Sequence, residues 1–210
     1  MNELVVRTIT GLLLIAVALL AAAVGGTLFA IFVAAIATAM FYEWTRIARG
    51  WGLAWYAGGF LYALIPALAL LWVRERDLHR PMLLFWAFIV TWSTDIGAYF
   101  AGRRFGRRKL APTISPGKTV EGLYGGIAAA TLLSGAWALA TGLGHTLLPL
   151  APLLAVAAQG GDLFESWMKR RAGVKDSGTW LPGHGGVLDR LDGLVPVAVL
   201  TAAAQLLGLT

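Results

Sequence analysis

Long uncharged runs separated by short charged clusters make up this chain. Between Arg7 and Glu43 no charged residue intervenes over 35 positions. As a single helix that run would extend about 52 Å, well past the roughly 30 Å of hydrocarbon in one crossing. Gly25-Gly26 offers a natural break, so the pattern predicts a helical hairpin. Gly50 to Val73 predicts a third span, and Pro81 to Gly102 a fourth whose only acid is Asp95. Gly122 to Gly161 is uncharged over 40 positions and divides at GLGHT (142–146) into spans five and six. Gly193 to Leu209 is the seventh. No repeat, low-complexity tract or strand pattern interrupts the series. The expected fold is all-α: a polytopic integral membrane protein of about seven transmembrane helices with a polar site at the cytoplasmic boundary. Residues 1–90 form its N-terminal transmembrane helices, and 91–210 a C-terminal transmembrane region carrying the chemistry.

Composition supports that class. With 58% apolar residues, 13% charged residues and a mean hydropathy of +0.72, the chain lacks the polar surface that a water-soluble globule needs. Cysteine is absent, which excludes disulfides and thiolate metal sites. Any metal is therefore a hard cation on oxygen or imidazole. The net charge of +6 follows loop topology rather than nucleic acid. If the N-terminus is inside, fourteen of the seventeen Lys and Arg residues fall on that side, and only Arg74, Arg76 and Arg80 lie opposite. Arg7 followed by an apolar run and AAAV also fits a cleaved signal peptide, but the six spans behind it favour an uncleaved first helix. The expected location is the inner (cytoplasmic) membrane, with the N-terminus and the two long polar loops cytoplasmic.

Those two loops hold nearly all the polar chemistry. The first, GRRFGRRKLAPTISPGKTVEG, has a plain account as a positive-inside loop on anionic headgroups, worth about 1 kcal/mol per basic residue near the surface. Its segment SPGKT differs. Ser115, a Pro-Gly turn and Lys118 at the foot of a helix put a hydroxyl, backbone N–H groups and an ammonium where an anion could bind. A snorkelling Lys at a helix start explains the same residues, and the stretch is too short for a Walker A loop.

The second begins at the end of span six, QGGDLFESWMKRR. Asp162 and Glu165 are three apart and share a helix face, and boundary carboxylates are costly unless they face a cavity or a partner. Asp189 and Asp192 repeat the spacing at the start of span seven. Two helix ends with two acids each could converge on one Mg²⁺, which takes one or two carboxylates plus waters and substrate phosphates. Between the pairs lie Lys169, Arg170, Arg171, Lys175 and the small-residue turn Gly183-His184-Gly185-Gly186, open to a ligand's approach. Cations around a metal-bound phosphate neutralise charge in a transition state. Capping and dipole complementation would account for Asp189 and Asp192 alone. They do not explain four acids at two boundaries framing a Gly-rich basic loop.

From Ser166 to Asp192 the chain reads S-x-x-K-R-x4-K-D-x5-P-x-H-G-G-x-x-D-R-x-D, through Ser166, Lys169, Arg170, Lys175, Asp176, Pro182, His184, Gly185, Gly186, Asp189, Arg190 and Asp192. This resembles the signature of phosphatidate cytidylyltransferases, also called CDP-diacylglycerol synthases. The resemblance extends upstream through GDLFES and DIGAYFAGRRFG…KLAPTISPGKTVEG, so it covers roughly Trp92 to Gly193. The first ninety residues are similar only in being apolar helices, and the chain is shorter than many members by the length of one or two N-terminal helices.

The resemblance implies that CTP and phosphatidic acid give CDP-diacylglycerol and pyrophosphate with Mg²⁺, alone or with a second, monovalent cation. It makes Asp162 and Asp189 the first candidates for metal ligands, with Glu165 and Asp192 beside them. Lys118, Lys169, Arg170, Lys175 and Arg190 would hold phosphates, with Ser115 and Ser166 as hydroxyl donors. Asp176, Gly185 and Gly186 complete the substrate-binding set, and His184 would contact a phosphate or the leaving group. Asp95, expected to be buried in span four, would complete the cavity or pack against Arg103. The expected partners are CTP, phosphatidic acid and membrane lipids. Gly97, Gly122, Gly125 and Gly126 permit close helix packing compatible with a homodimer.

Other classes also put acids in membrane helices. A transporter could run cations past Asp95, Asp162 and Glu165, but no repeated halves are visible. A CDP-alcohol phosphotransferase needs D-G-x-x-A-R with later acids, and LDGLVPVAV has neither. A kinase or cytidylyltransferase for another lipid uses a related arrangement.

Overall fold

The computed structural model describes residues 3–76, 81–181 and 183–210, with the backbone alone at 3, 4, 6 and 7. Arg80 and Pro182 therefore lie outside the described residues, as does the side chain of Arg7. Among the described residues, eight α-helices run in chain order: α1 (Glu3–Val24), α2 (Gly26–Ile47), α3 (Leu53–Arg76), α4 (Met82–Phe105), α5 (Val120–Thr141), α6 (Leu150–Arg171), α7 (Leu188–Leu191) and α8 (Leu194–Leu206). Among the described residues, four of them, α2 to α5, are long and apolar enough to cross a membrane. Thr8–Val24 and Leu194–Leu206 are shorter apolar helices. Helix α6 is as long as the four, but Asp162, Glu165, Lys169, Arg170 and Arg171 crowd its C-terminal half. Leu12, Leu20, Leu28, Leu132 and Leu153 are 63–72% exposed. Large apolar side chains exposed along long apolar helices in each unit are untenable in water and are what lipid covers, so the chain is a membrane protein.

The chain forms two compact units, and neither is continuous in sequence. The first comprises Met1–Pro81 with Met168–Leu191, and the second Met82–Trp167 with Asp192–Thr210.

In the first unit the break between α1 and α2 falls at Gly25, whose φ of 68° favours a residue without Cβ. Arg74 seals the end of α1 by donating to the carbonyls of Ala22 (2.6 Å) and Ala23 (3.0 Å), which satisfies acceptors that a helix C-terminus leaves open. Helices α2 and α3 pack around Trp44, which is 3% exposed and donates its indole N–H to the Trp55 carbonyl at 2.7 Å. Arg171 lies over the rings of Trp51 and Trp55, 4.4 and 5.2 Å from their centroids.

The second unit is built on the close pairing of α4 and α5. A Cβ at Gly97 would stand 2.6 Å from the Gly125 carbonyl, and one at Gly126 would stand 2.8 Å from that of Thr94. The glycines marked as permitting close packing are therefore used within the chain. Between these helices the structure adds a two-stranded antiparallel hairpin, β1 (Lys109–Ala111) and β2 (Ser115–Thr119), with Lys109 opposite Thr119 and Ala111 opposite Ser115. The all-α expectation had no place for it. Alternation is hard to see in so short a stretch containing Pro and Gly. SPGKT is accordingly a strand that leads directly into the foot of α5, as expected for Lys118. The helix begins one residue later, where the Thr119 hydroxyl caps α5 by accepting the Gly122 N–H at 3.0 Å.

Candidate active site

Helix α6 sets out the polar group of the second unit. Gln159, Asp162, Glu165 and Ser166 fall at helical spacing on one side of the helix, ahead of its basic last turn. Gln159, Glu165 and Ser166 are 4%, 1% and 8% exposed. The Lys118 ammonium, one residue before the α5 cap, lies 2.6 Å from Asp162 Oδ2 and donates to Gln159 Oε1 at 2.6 Å. Gln159 Nε2 in turn donates to Asp95 Oδ1 at 3.4 Å, and the Ser166 hydroxyl donates to Asp162 Oδ1 at 3.3 Å. This chain of contacts runs from Asp95 on α4 through Gln159 of α6 and Lys118 of β2 to Asp162 and Ser166 of α6.

Asp192, just ahead of α8, closes the group. Its pKa is pushed up to about 7, first by burial and then by the charge of Asp162, with Asp95 adding to the rise. The neighbouring Glu165 carboxyl and the Gly193 N–H, donated at 2.8 Å, pull the other way. Like charges held this close oppose joint ionisation. The cluster is therefore short of positive charge despite Lys118. Asp95, expected to be buried, is exposed in the chain: it lies on the open side of α4 and reaches the group through Gln159. Arg103 donates to the Tyr99 hydroxyl at 2.8 Å.

The basic loop divides by function. The Glu121 carboxylate accepts the backbone N–H groups of Arg107 (3.0 Å) and Arg108 (3.2 Å), so the loop is folded by its main chain. The side chains of Arg104, Arg107 and Arg108 are exposed, and Ser115 is half-buried at the start of β2.

In the first unit, the last turn of α6 and the loop that follows it supply the partners of Asp189, which stands in α7. Its Oδ1 takes the Lys169 ammonium at 2.5 Å. Its Oδ2 accepts the Ser177 N–H (2.9 Å), the Ser177 hydroxyl (2.9 Å) and the Gly186 N–H (2.8 Å). Gly185 and Gly186 leave room for carboxylates of the chain itself. A Cβ on Gly185 would meet Asp189 Oδ2 at 2.8 Å, and one on Gly186 would meet Glu43 Oε2 at 2.5 Å. His184 Nδ1 is 3.1 Å from the Thr10 hydroxyl, and the His184 carbonyl accepts Arg190 Nε at 3.0 Å. Arg170, Lys175, Asp176 and Arg190 are exposed along the loop.

Burial alone would raise the Asp189 pKa, but the Lys169 ammonium and the N–H groups of Gly186 and Ser177 outweigh it and hold the carboxyl below its ordinary range. An acid depressed in the folded state stabilises that state above its unfolded pKa of about 3.9, and the contribution is lost as pH falls through the lower folded value. Amide exchange at Ser177 and Gly186, corrected for its intrinsic pH dependence, should therefore stay slow from pH 7 to about 5 and accelerate below about 4. Protection that persists unchanged at pH 3 would contradict this anchoring.

Three residues that the spacing argument passed over hold these groups. Glu43 and Ser177 secure the loop, and Gln159 joins Lys118 to Asp95. Of these only Gln159 carried a local signal, lying three residues ahead of Asp162 on α6. Among the described residues no three acids or imidazoles form a ready-made metal cage.

Over residues 51–207 the chain matches the model of the Cytidylyltransferase family. It is 40% identical to the phosphatidate cytidylyltransferase of Brucella suis biovar 1 (strain 1330), over 95% of this chain and 92% of the relative. The enzyme of that name from Bacillus subtilis (strain 168) is 50% identical over 57% of this chain and 46% of its own. That of Pseudomonas aeruginosa is 40% identical over 80% and 64%. The Brucella alignment runs over 250 positions against the 210 of this chain, so additional length of that relative falls inside the matched span. A family match over most of the chain and 40% identity over nearly all of it lead to one conclusion: the chain belongs to the cytidylyltransferase family, and it is an enzyme of the transferase class.

Proposed function

We propose that this protein transfers the cytidylyl group of CTP to phosphatidic acid, giving CDP-diacylglycerol and pyrophosphate, at the cytoplasmic face of a bacterial inner membrane. The observation that carries the reading is the carboxylate crowding around Asp162 and Asp192 beside Lys118. The names and extent of the relatives supply the substrates. About seven membrane spans, with α1, α6 and α8 added to the four long apolar helices, agree with the bias of loop charge.

The donor set suits Mg²⁺. It is all oxygen, it is crowded with like charge, and it offers pairs of carboxylates rather than a closed cage, as Mg²⁺ accepts when waters and phosphates complete its shell. Asp162 and Asp192, with Glu165 beside them, would hold the ion in the second unit, and the family resemblance adds Asp189. Bound there, Mg²⁺ would neutralise charge on the phosphates.

The chain's own residues do the rest. A phosphate oxygen of phosphatidic acid attacks the α-phosphorus of CTP in line. The bond to the bridging oxygen of the β-phosphate breaks, and pyrophosphate leaves. The nucleophile is already an anion, so no base has to remove a proton, and catalysis rests on positioning and charge. In the second unit Lys118 meets a phosphate, with the Ser115 and Ser166 hydroxyls as further donors. In the first, Lys169, Arg170, Lys175 and Arg190 supply positive charge along the loop, with His184 as a donor to a phosphate or to the leaving group.

The test uses purified protein in detergent with phosphatidic acid, labelled CTP and Mg²⁺, with and without EDTA. Label in the lipid together with released pyrophosphate, both lost with EDTA, is the expected result. Folded protein that leaves the lipid unlabelled would overturn the assignment and direct attention to other lipid phosphates, and then to cation passage by Asp95 and Asp162.

A further inference from the structure

Glu43 is the only acid between Glu3 and Glu75 in the sequence and lies before the start of the family match at residue 51. It projects from the C-terminal part of α2 and is 0% exposed. A buried carboxylate with no partner is prohibitively costly, and Glu43 is partnered at both oxygens by the segment 134 to 145 residues downstream. Oε1 accepts the Val187 N–H at 3.0 Å. Oε2 accepts the Leu188 N–H at 2.8 Å and the Ser177 hydroxyl at 2.9 Å. The Ser177 hydroxyl stands equally 2.9 Å from Asp189 Oδ2, so this one side chain, with a single proton to donate, lies between the two carboxylates. Gly178 and Gly186 are shaped to this carboxylate, since a Cβ on either would collide with its oxygens.

We propose that Glu43 is a positioning residue for the transfer reaction. Its two oxygens fix the main chain of 187–188 and, through Ser177, the orientation of Asp189 and the basic loop around it. The inference rests on the function proposed above. The part of the chain outside the family match thus supplies a pin that holds the signature loop in register. The role requires an acceptor at both oxygens, which distinguishes it from packing. Gln has the shape of Glu, but in either amide orientation its NH₂ group faces a backbone N–H. Asp is shorter by one methylene yet keeps acceptors at both oxygens.

The experiment compares full-length wild type, Glu43→Asp and Glu43→Gln in detergent, reading kcat with CTP and phosphatidic acid and the rate of trypsin cleavage within 170–176. Glu43→Gln is expected to lower kcat about tenfold or more, because buried N–H donors are left facing a donor. Glu43→Asp should fall between Gln and wild type. Cleavage in 170–176 should rise in the same order while cleavage at 103–109 stays at the wild-type rate. If Gln outperforms Asp, the residue is packing and the proposal fails. It fails equally if both variants match wild type in kcat and cleavage, or if cleavage rises everywhere. Should Glu43→Gln not fold, Ser177→Ala replaces it, with a smaller loss in kcat and faster cleavage in 170–176 expected; wild-type values there would overturn the proposal. A wild type unable to label phosphatidic acid would sink the functional assignment instead and leave the cleavage comparison to judge the pin.

Discussion

Asp162→Asn is expected to lower turnover by roughly 100- to 1,000-fold or more, the scale seen when one preorganised electrostatic group is removed from an active site. The amide keeps the volume of the side chain and can still accept the Ser166 hydroxyl that now reaches Oδ1 at 3.3 Å. What it loses is charge. The Lys118 ammonium, 2.6 Å away, is left with Gln159 as its neutral acceptor. Asp192, whose pKa is raised in part by Asp162, ionises more readily, so the variant rearranges where the negative charge of the group sits. Size-exclusion behaviour and thermal unfolding close to wild type would show that the loss lies in chemistry. Near-normal turnover would remove Asp162 from the site.

The second large effect separates two residues of one basic loop. Lys118→Ala should reduce kcat/KM by about 100-fold or more, whereas Arg107→Ala should change it by less than about threefold. Lys118 connects α6 to β2 through Asp162 and Gln159 and is the cation that the Asp162 carboxylate holds. Arg107 contributes through its backbone N–H, donated to Glu121, and alanine retains that group. Steady-state kinetics on both variants with CTP varied at saturating lipid decides the matter. Equal losses would mean that the whole loop holds substrate.

Much of this was readable from local pattern. The uncharged runs and the Gly25-Gly26 break gave the boundaries of α1 to α5 to within a few residues, because a hydrocarbon environment enforces apolarity at every position and glycine marks the turn. The pairing of Asp162 with Glu165 followed from helical spacing. Residues whose roles depend on distant chain were less visible. Glu43 looks like the charged end of an apolar run, and nothing near it in sequence announces that its partners are Ser177, Val187 and Leu188. The hairpin Lys109–Thr119 has too few residues for a period to emerge. The exposure of Asp95 depends on which side of α4 meets α5, which the glycines of both helices decide together.

The long separation between Glu43 and its partners bears on biogenesis. Ser177 leaves the ribosome 134 residues after Glu43, an interval of roughly 7–27 s at about 5–20 residues per second. Throughout that interval the nascent protein carries an acid whose acceptors have no donors from the chain. Insertion of α2 therefore precedes its stabilisation, and water, lipid headgroups or the insertion machinery must host the carboxylate meanwhile. Chains that stall before residue 177 would carry an unsatisfied acid in their second helix, a mark by which membrane proteases could tell unfinished copies from complete ones.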